Sequence, residues 1–282
     1  LAGVTADIQS QSDTVVVVTA ASSGAQTGDV VITVTTTATI ASADGWTYRE
    51  VGVIDAVLPA SGQLGTEVTI IGERLRGGGG EVVSVQLGSV EMPSIESEND
   101  THVEIVVPDA NASSSAENVV LTSDSGAVVT LIAGWQFLEL GSIDLVTPSS
   151  GQVGTRVEIT GERMLGGGIG LTSVTLAGAA ASIVDFNSTS IVVDAAAQTA
   201  STGDVVLVSN TGAIVTAEDG FTYFAAGSID SVAPEHGQVG TVVTISGTGL
   251  LGGNTALRSV TFNDIEVTNI VSQSDTEIIV AV

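Results

Sequence analysis

Apolar residues along this chain alternate with polar ones at a period of two, as in Val83/Val85/Leu87, Val103/Ile105/Val107 and Val119/Leu121. That period puts successive apolar side chains on one face of an extended strand, whereas a helix would need a spacing of three or four. Val, Ile and Thr dominate these runs, and turn chemistry such as Asp124-Ser125-Gly126 and Asn210-Thr211-Gly212 falls between them. Short β-rich runs punctuated every 8–12 residues by such turns predict an all-β sandwich or barrel. No apolar run approaches the 18 or more residues that a membrane-crossing helix needs, so no membrane insertion is expected in this segment.

The pattern repeats. Ile54-Asp55-Ala56-Val57-Leu58-Pro59 returns as Ile143-Asp144-Leu145-Val146-Thr147-Pro148 and as Ile229-Asp230-Ser231-Val232-Ala233-Pro234. Each is followed by Gly-Gln-x-Gly-Thr at Gly62–Thr66, Gly151–Thr155 and Gly237–Thr241. An alternating strand comes next (Val68/Ile70, Val157/Ile159, Val243/Ile245), then a Gly-rich stretch at 77–80, 166–168 and 252–253. Copies end on an aromatic pair after a glycine: Trp46/Tyr48, Trp135/Phe137 and Phe221/Tyr223. Ser10–Thr14 repeats as Ser272–Thr276, which puts the two ends of the chain in the same register.

Residues 1–48 therefore read as the C-terminal part of one domain, 53–137 and 142–223 as two complete domains, and 228–282 as the N-terminal part of another. Seven strands in each period of about 87 residues suit a small immunoglobulin-like sandwich. A chain divided mid-domain at both ends reads as a window onto a longer tandem array. Continuation of the polypeptide, the ordinary behaviour of tandem arrays, or a neighbouring molecule would close each half. Five residues always separate the last aromatic from the next Ile, at 49–53, 138–142 and 224–228, so successive domains are expected to repeat one orientation and build an extended rod.

The pattern I-x-x-V-x-P-x-x-G-x-x-G-T-x-V-x-I-x-G, with its Gly-rich turn and terminal G-[WF]-x-[YF], resembles the IPT/TIG family of immunoglobulin-like domains over essentially the whole chain. The resemblance implies an early-set sandwich of the kind found in plexins, receptor kinases, surface proteins and some transcription factors. The cysteines of many members are missing, and so are the basic loops with which the transcription-factor branch holds DNA.

Charge narrows the function further. Six Lys plus Arg stand against 32 Asp plus Glu, a net charge of −26, and all six cations are Arg. A chain this acidic cannot assemble the cationic footprint that phosphate requires, so nucleic acid is excluded as a partner. The absence of Lys removes Schiff-base chemistry and a phosphate-loop lysine, and the Gly-rich loops precede strands rather than helices. They are expected to be strand connections whose bare backbone can lie against another chain. His102 and His236 recur in no other copy and meet no convergent catalytic group, so no enzyme is expected and no catalytic or cofactor residues are assigned.

Calcium is the one cofactor considered. Asp55, Asp144 and Asp230 recur at each domain entrance near Glu73 and Glu162, a layout that could gather carboxylates for a hard cation. The sequons at Asn99, Asn111 and Asn187 mark candidate glycosylation sites. Trp46, Trp135 and Phe221 are expected to anchor cores. The leading function is an extracellular or cell-surface structural repeat protein, the shaft of a filament, appendage or stalk, whose partners are neighbouring copies of itself. The alternative is an adhesin or receptor ectodomain that binds surface proteins or glycans through its loops. Arg74 with Arg76 is the only departure between copies that would suit recognition.

Overall fold

The computed structural model describes residues Leu1–Val282, and every regular element in it is a β-strand. Contacts divide the chain into two compact units: Leu1–Ser61, Val68–Val106 and Ser113–Gln136 form one, and Gly62–Glu67, Val107–Ala112 and Phe137–Val282 the other.

Residues 142–223 show how a repeat closes. One sheet runs in the order Ser142–Thr147, Arg156–Glu162, Ser190–Asp194, Ser182–Phe186. The other runs Ser150–Gly151, Ile214–Tyr223, Ser201–Ser209, Leu171–Leu176, Ala179–Ala180. Alternation turns Val157, Ile159, Ile191 and Val193 of the first sheet toward Val174, Leu176, Val205, Leu207 and Phe221 of the second, and these form one buried cluster. Each such side chain contributes about 1.5–3 kcal/mol relative to an exposed one. Phe221 and Tyr223 meet edge-on at 5.0 Å, the geometry that ring quadrupoles favour. Residues 53–137 carry the same strand orders, with seven strands of four residues or more and two of two residues.

Fewer strands assemble in the remaining segments. Ser228–Ala233, Val242–Thr248, Glu277–Ala281 and Asn269–Gln273 make a four-stranded sheet, and Val260–Phe262 pairs with Ile265–Val267 alone. Residues 1–48 fold as two hairpins, Asp7–Gln11 with Val16–Thr19 and Gln26–Thr33 with Thr39–Tyr48.

Two burial expectations are corrected. Trp135 and Phe221 are fully buried, but Trp46 is 37% exposed, because its strand belongs to a two-stranded sheet whereas theirs belong to five-stranded ones. Val85 and Leu87 point inward as expected, yet Val83 is 52% exposed and Val82 is buried in its place. The register against the neighbouring strand shifts between Thr122 and Ser123, and a bulge of that kind reverses which side chain faces the core.

Candidate functional site

The recurring features converge on the five-residue linkers. In each Gly-Gln-x-Gly-Thr turn the Thr hydroxyl accepts the Gln backbone N–H, at 3.1 Å for Thr66, 3.0 Å for Thr155 and 2.9 Å for Thr241. The second glycine of the motif has φ of +84°, +81° and +90°, a left-handed conformation that only glycine adopts cheaply. This fold of the turn aims the Gln side chain away from its own backbone. Gln63 is 2% exposed: its Oε1 accepts the N–H of linker residue Gly141 at 2.6 Å, and its Nε2 donates to the Ile214 carbonyl at 3.3 Å. Gln152 repeats the first bond, accepting from Gly227 at 2.9 Å. Around Gln63 the backbone continues the attachment, since Glu67 N–H donates to Thr211 and Ile214 N–H to the Leu64 carbonyl, both at 2.9 Å.

The linker glycines have a second neighbour. Arg74 and Arg163 follow the second long strand of their repeats with φ of +56° and +49°, and Gly249 holds the same place at +61°. A Cβ on Gly141 would lie 2.6 Å from the Arg163 carbonyl oxygen; one on Gly52 or Gly227 would meet Arg74 or Gly249 in the same way. The two guanidinium groups then reach back to the linker. Nε of Arg74 donates to the Val51 carbonyl and Nε of Arg163 to the Leu140 carbonyl, both at 3.1 Å, and each Arg also pairs with a linker glutamate, Glu50 or Glu139.

The Gly-rich loops complete this arrangement, which corrects the expectation that their bare backbone is free for another chain. Gly78, Gly167 and Gly253 lie against the first linker side chain of their junctions, Arg49, Leu138 and Phe224. Gly166 and Gly252 lie against the amides of Gln63 and Gln152. Side chains there would occupy the space of the linker and the Gln.

The other candidates find different explanations. Asp55, Asp144 and Asp230 each sit where the first strand shifts register, between Ile54 and Ala56, Ile143 and Leu145, and Ile229 and Ser231. Asp144 and Asp230 accept the hydroxyls of Ser142 and Ser228 at 3.0 Å, while Glu73 and Glu162 pair with Arg74 and Arg163. No group of three or more His, Cys, Asp or Glu side chains gathers in the chain, at these aspartates or elsewhere. Arg76 grips Glu98 with two bonds, at 2.9 and 2.7 Å, and Glu98 also accepts the Val82 N–H. That Arg76 bond, with the Val82 amide, holds the Glu98 carboxyl below the usual carboxylate range against the opposing effect of burial. Both arginines that suited recognition are thus committed within their own repeat and linker.

Asn99, Asn111 and Asn187 are all exposed. The side-chain oxygen of Asn99 accepts from Thr101 N–H, Thr101 Oγ1 and His102 N–H, and that of Asn187 from Thr189 N–H, Thr189 Oγ1 and Ser190 N–H. Ser274 and Ser12 cap the same turn in the other copies. His102 accompanies that turn, its Nδ1 2.9 Å from the Thr101 hydroxyl.

Sequence reasoning missed the Gln. It was legible as an invariant of the repeat motif, but nothing local distinguishes a turn glutamine from one that reaches a residue 78 positions on.

A family model described as the IPT/TIG domain matches residues 53–132, 142–223 and 228–282. A search of the curated proteins returned no match. Among solved structures, the chain is similar to the full extracellular region of plexin A4, with 18% identity over 82% of this chain and 21% of that one, TM-score 0.44. It is similar to the surface glycan-binding protein SGBP-B of the Bacteroides ovatus mixed-linkage glucan utilization locus, solved with a heptasaccharide, with 14% identity over 63% of this chain and 46% of that one, TM-score 0.26. It is also similar to the I9–I11 tandem of titin, with 9% identity over 83% and 88%, TM-score 0.25. The chain thus spans about a fifth of the plexin and half of the glycan-binding protein. All three family matches contain the Gly-Gln-x-Gly-Thr turn and the Gly-rich loop, and because they cover well over half of its residues, the chain belongs to the IPT/TIG domain family.

Proposed function

We propose that this chain is part of the shaft of an extracellular or cell-surface filament, appendage or stalk, built from tandem IPT/TIG sandwiches and without catalytic activity. Residues 1–48 and 228–282 are read as partial repeats flanking the complete ones at 53–137 and 142–223. The observation that carries this reading is the linker arrangement. Gln63–Gly141 and Gln152–Gly227 are the same bond made by the same motif, and a fixed five-residue linker is braced again by the residue at positions 74, 163 and 249. Repeated short linkers, two of them held by the same glutamine bond and all three backed by the residue at position 74, 163 or 249, suit a member that bears load along its length, where flexible recognition domains would use slack tethers. A net charge of −26 suits an extended array kept soluble and open by mutual repulsion. Recognition through Arg74 and Arg76 loses its support, since both are held by carboxylates and backbone. Negative-stain imaging of the native protein tests the reading: a thin shaft of uniform width is expected, and a compact globule would refute it.

A further inference from the structure

We propose that each complete repeat resists tension along the chain through one short pairing, that of the segment by which the chain enters the repeat with the strand by which it leaves. In residues 142–223 the entry segment Ser150–Gly151 runs parallel to Thr222–Tyr223, the end of the exit strand. Thr222 N–H donates to the Ser149 carbonyl at 3.0 Å, and Phe224 N–H to the Gly151 carbonyl at 2.7 Å. Every other strand pair in residues 142–223 is antiparallel. Residues 53–137 make the same two bonds in the same register, from Gln136 to Ala60 at 3.0 Å and from Leu138 to Gly62 at 2.8 Å.

Direction is what gives this pairing its strength. Tension draws the entering chain back toward the N-terminus and the leaving chain on toward the C-terminus. Because the two segments run the same way side by side, these pulls slide one past the other along a common axis. The bonds between them lie across that axis and are loaded together. An antiparallel hairpin held by its two open ends is loaded differently, since its outermost bond carries the whole force and the others follow one at a time. The earlier part of the entry, Ser142–Thr147, lies along Arg156–Glu162 and is likewise drawn lengthwise. A repeat under tension therefore keeps its folded length until several bonds fail at once.

Local chemistry protects the pairing. Gly62 and Gly151 are buried, and a Cβ on either would lie 2.7 Å from a side-chain carbon of Thr66 or Thr155. Phe221 and Tyr223 of the exit strand are also buried, so the bonds lie against the core, where a hydrogen bond is stronger than in water. The Gly-Gln-x-Gly-Thr turn thereby has two roles. Its first glycine holds the first linker residue, Gly62 taking Leu138 and Gly151 taking Phe224, and its glutamine holds the linker glycine, Gly141 or Gly227. Load arriving through a linker passes into that turn. The inference goes beyond the shaft reading, because mechanical strength belongs to a single repeat.

The test is single-molecule pulling of the repeat 142–223 within the whole chain. The chain has no cysteine, so a pair of introduced cysteines fixes where the handles attach. Glu139→Cys with Ala225→Cys loads the repeat through its entry and exit. Thr199→Cys with Ala225→Cys instead spans the open end of the hairpin Ser201–Ser209/Ile214–Tyr223 and unzips it. All three positions are exposed, so both forms keep the fold. Rupture between entry and exit is expected at a force severalfold above unzipping, and releases about 280 Å of chain, the extended length of residues 142–223. Phe224→Pro deletes the N–H that Gly151 accepts, at a residue already 36% exposed; it lowers the entry-to-exit force and leaves the unzipping force as it was. An entry-to-exit force no higher than the unzipping force overturns the proposal. So does a Phe224→Pro chain that withstands the entry-to-exit pull as well as the natural sequence, or one that weakens both pulls alike. The shaft reading survives any of these results, since imaging tests it on the outline of the native protein.

Discussion

Replacing Gln63 by Ala isolates what the clamp contributes. The substitution removes an acceptor 2.6 Å from Gly141 N–H and a donor 3.3 Å from the Ile214 carbonyl at a site only 2% exposed. Water does not reach such a site readily, so the Gly141 N–H and the Ile214 carbonyl lose their partners without replacement. An unsatisfied buried group costs about 1–3 kcal/mol, and two of them unequally aligned give ~2–4 kcal/mol. The repeats supply graded controls. Gln152 makes one bond at 2.9 Å and is half-buried, so Gln152→Ala should cost about 1 kcal/mol; Gln238 is exposed and its side chain has no partner, so Gln238→Ala should stay within ~0.5 kcal/mol. Hydrogen exchange followed by mass spectrometry on the 138–142 and 224–228 linkers reads the clamp directly. Local opening eased by ~2 kcal/mol accelerates exchange about thirty-fold at 138–142 in Gln63→Ala, and Gln63→Met should do the same because length without polarity restores nothing. Unchanged exchange at Gly141, or an effect of Gln238→Ala as large as that of Gln63→Ala, would refute the reasoning.

Gly141→Ala should destabilise by about 1–3 kcal/mol in chemical denaturation, because its Cβ would press on the Arg163 carbonyl at 2.6 Å and on Val215 at 2.7 Å, and a backbone oxygen cannot step aside. Trp135→Ala should cost ~3–5 kcal/mol, while Trp46→Ala, which removes a side chain already 37% exposed, should cost much less; equal effects on thermal unfolding would contradict the burial difference. Because Arg76 depresses the Glu98 carboxyl in the folded state, the stability it brings is complete above the ordinary glutamate value of about 4.3 and fades as pH falls through the lower folded value. Arg76→Ala should therefore lose stability at pH 7 and show a shallower acid decline. Expressed through a eukaryotic secretory route, the chain should carry glycans on Asn99 and Asn187, which occupy one repeat position in exposed turns, and on Asn111; intact mass showing bare Asn at 99 and 187 would sink this.

Strand alternation was legible through most of the two-sheet repeats: Val103, Ile105, Val107, Val119, Leu121, Val157 and Ile159 face inward as their spacing predicts. It failed at Val83, where a single register shift reverses the facing, and at Trp46, whose burial depends on strands that residues 1–48 do not supply. The candidate chemistry was read from residue type, and the structure adds the local partners that type does not show. Asp144 sits at a bulge and accepts the Ser142 hydroxyl, and Arg74 donates to the Val51 carbonyl. The glutamine clamp stayed hidden because its meaning lies in a partner in the next linker, and no local spacing encodes that distance.

Part of each linker's surroundings is drawn from sequence that the copies share: a turn glutamine, a linker glycine, and the paired glycines of the following loop. One repeat can consequently follow another on the same glutamine and glycine contacts, with only the flanking linker side chains varying. Unequal recombination within the gene would lengthen or shorten the array by whole repeats while leaving every joint intact. Length can then be selected independently of stability, and the array can vary in reach among close relatives while its joints are inherited unaltered.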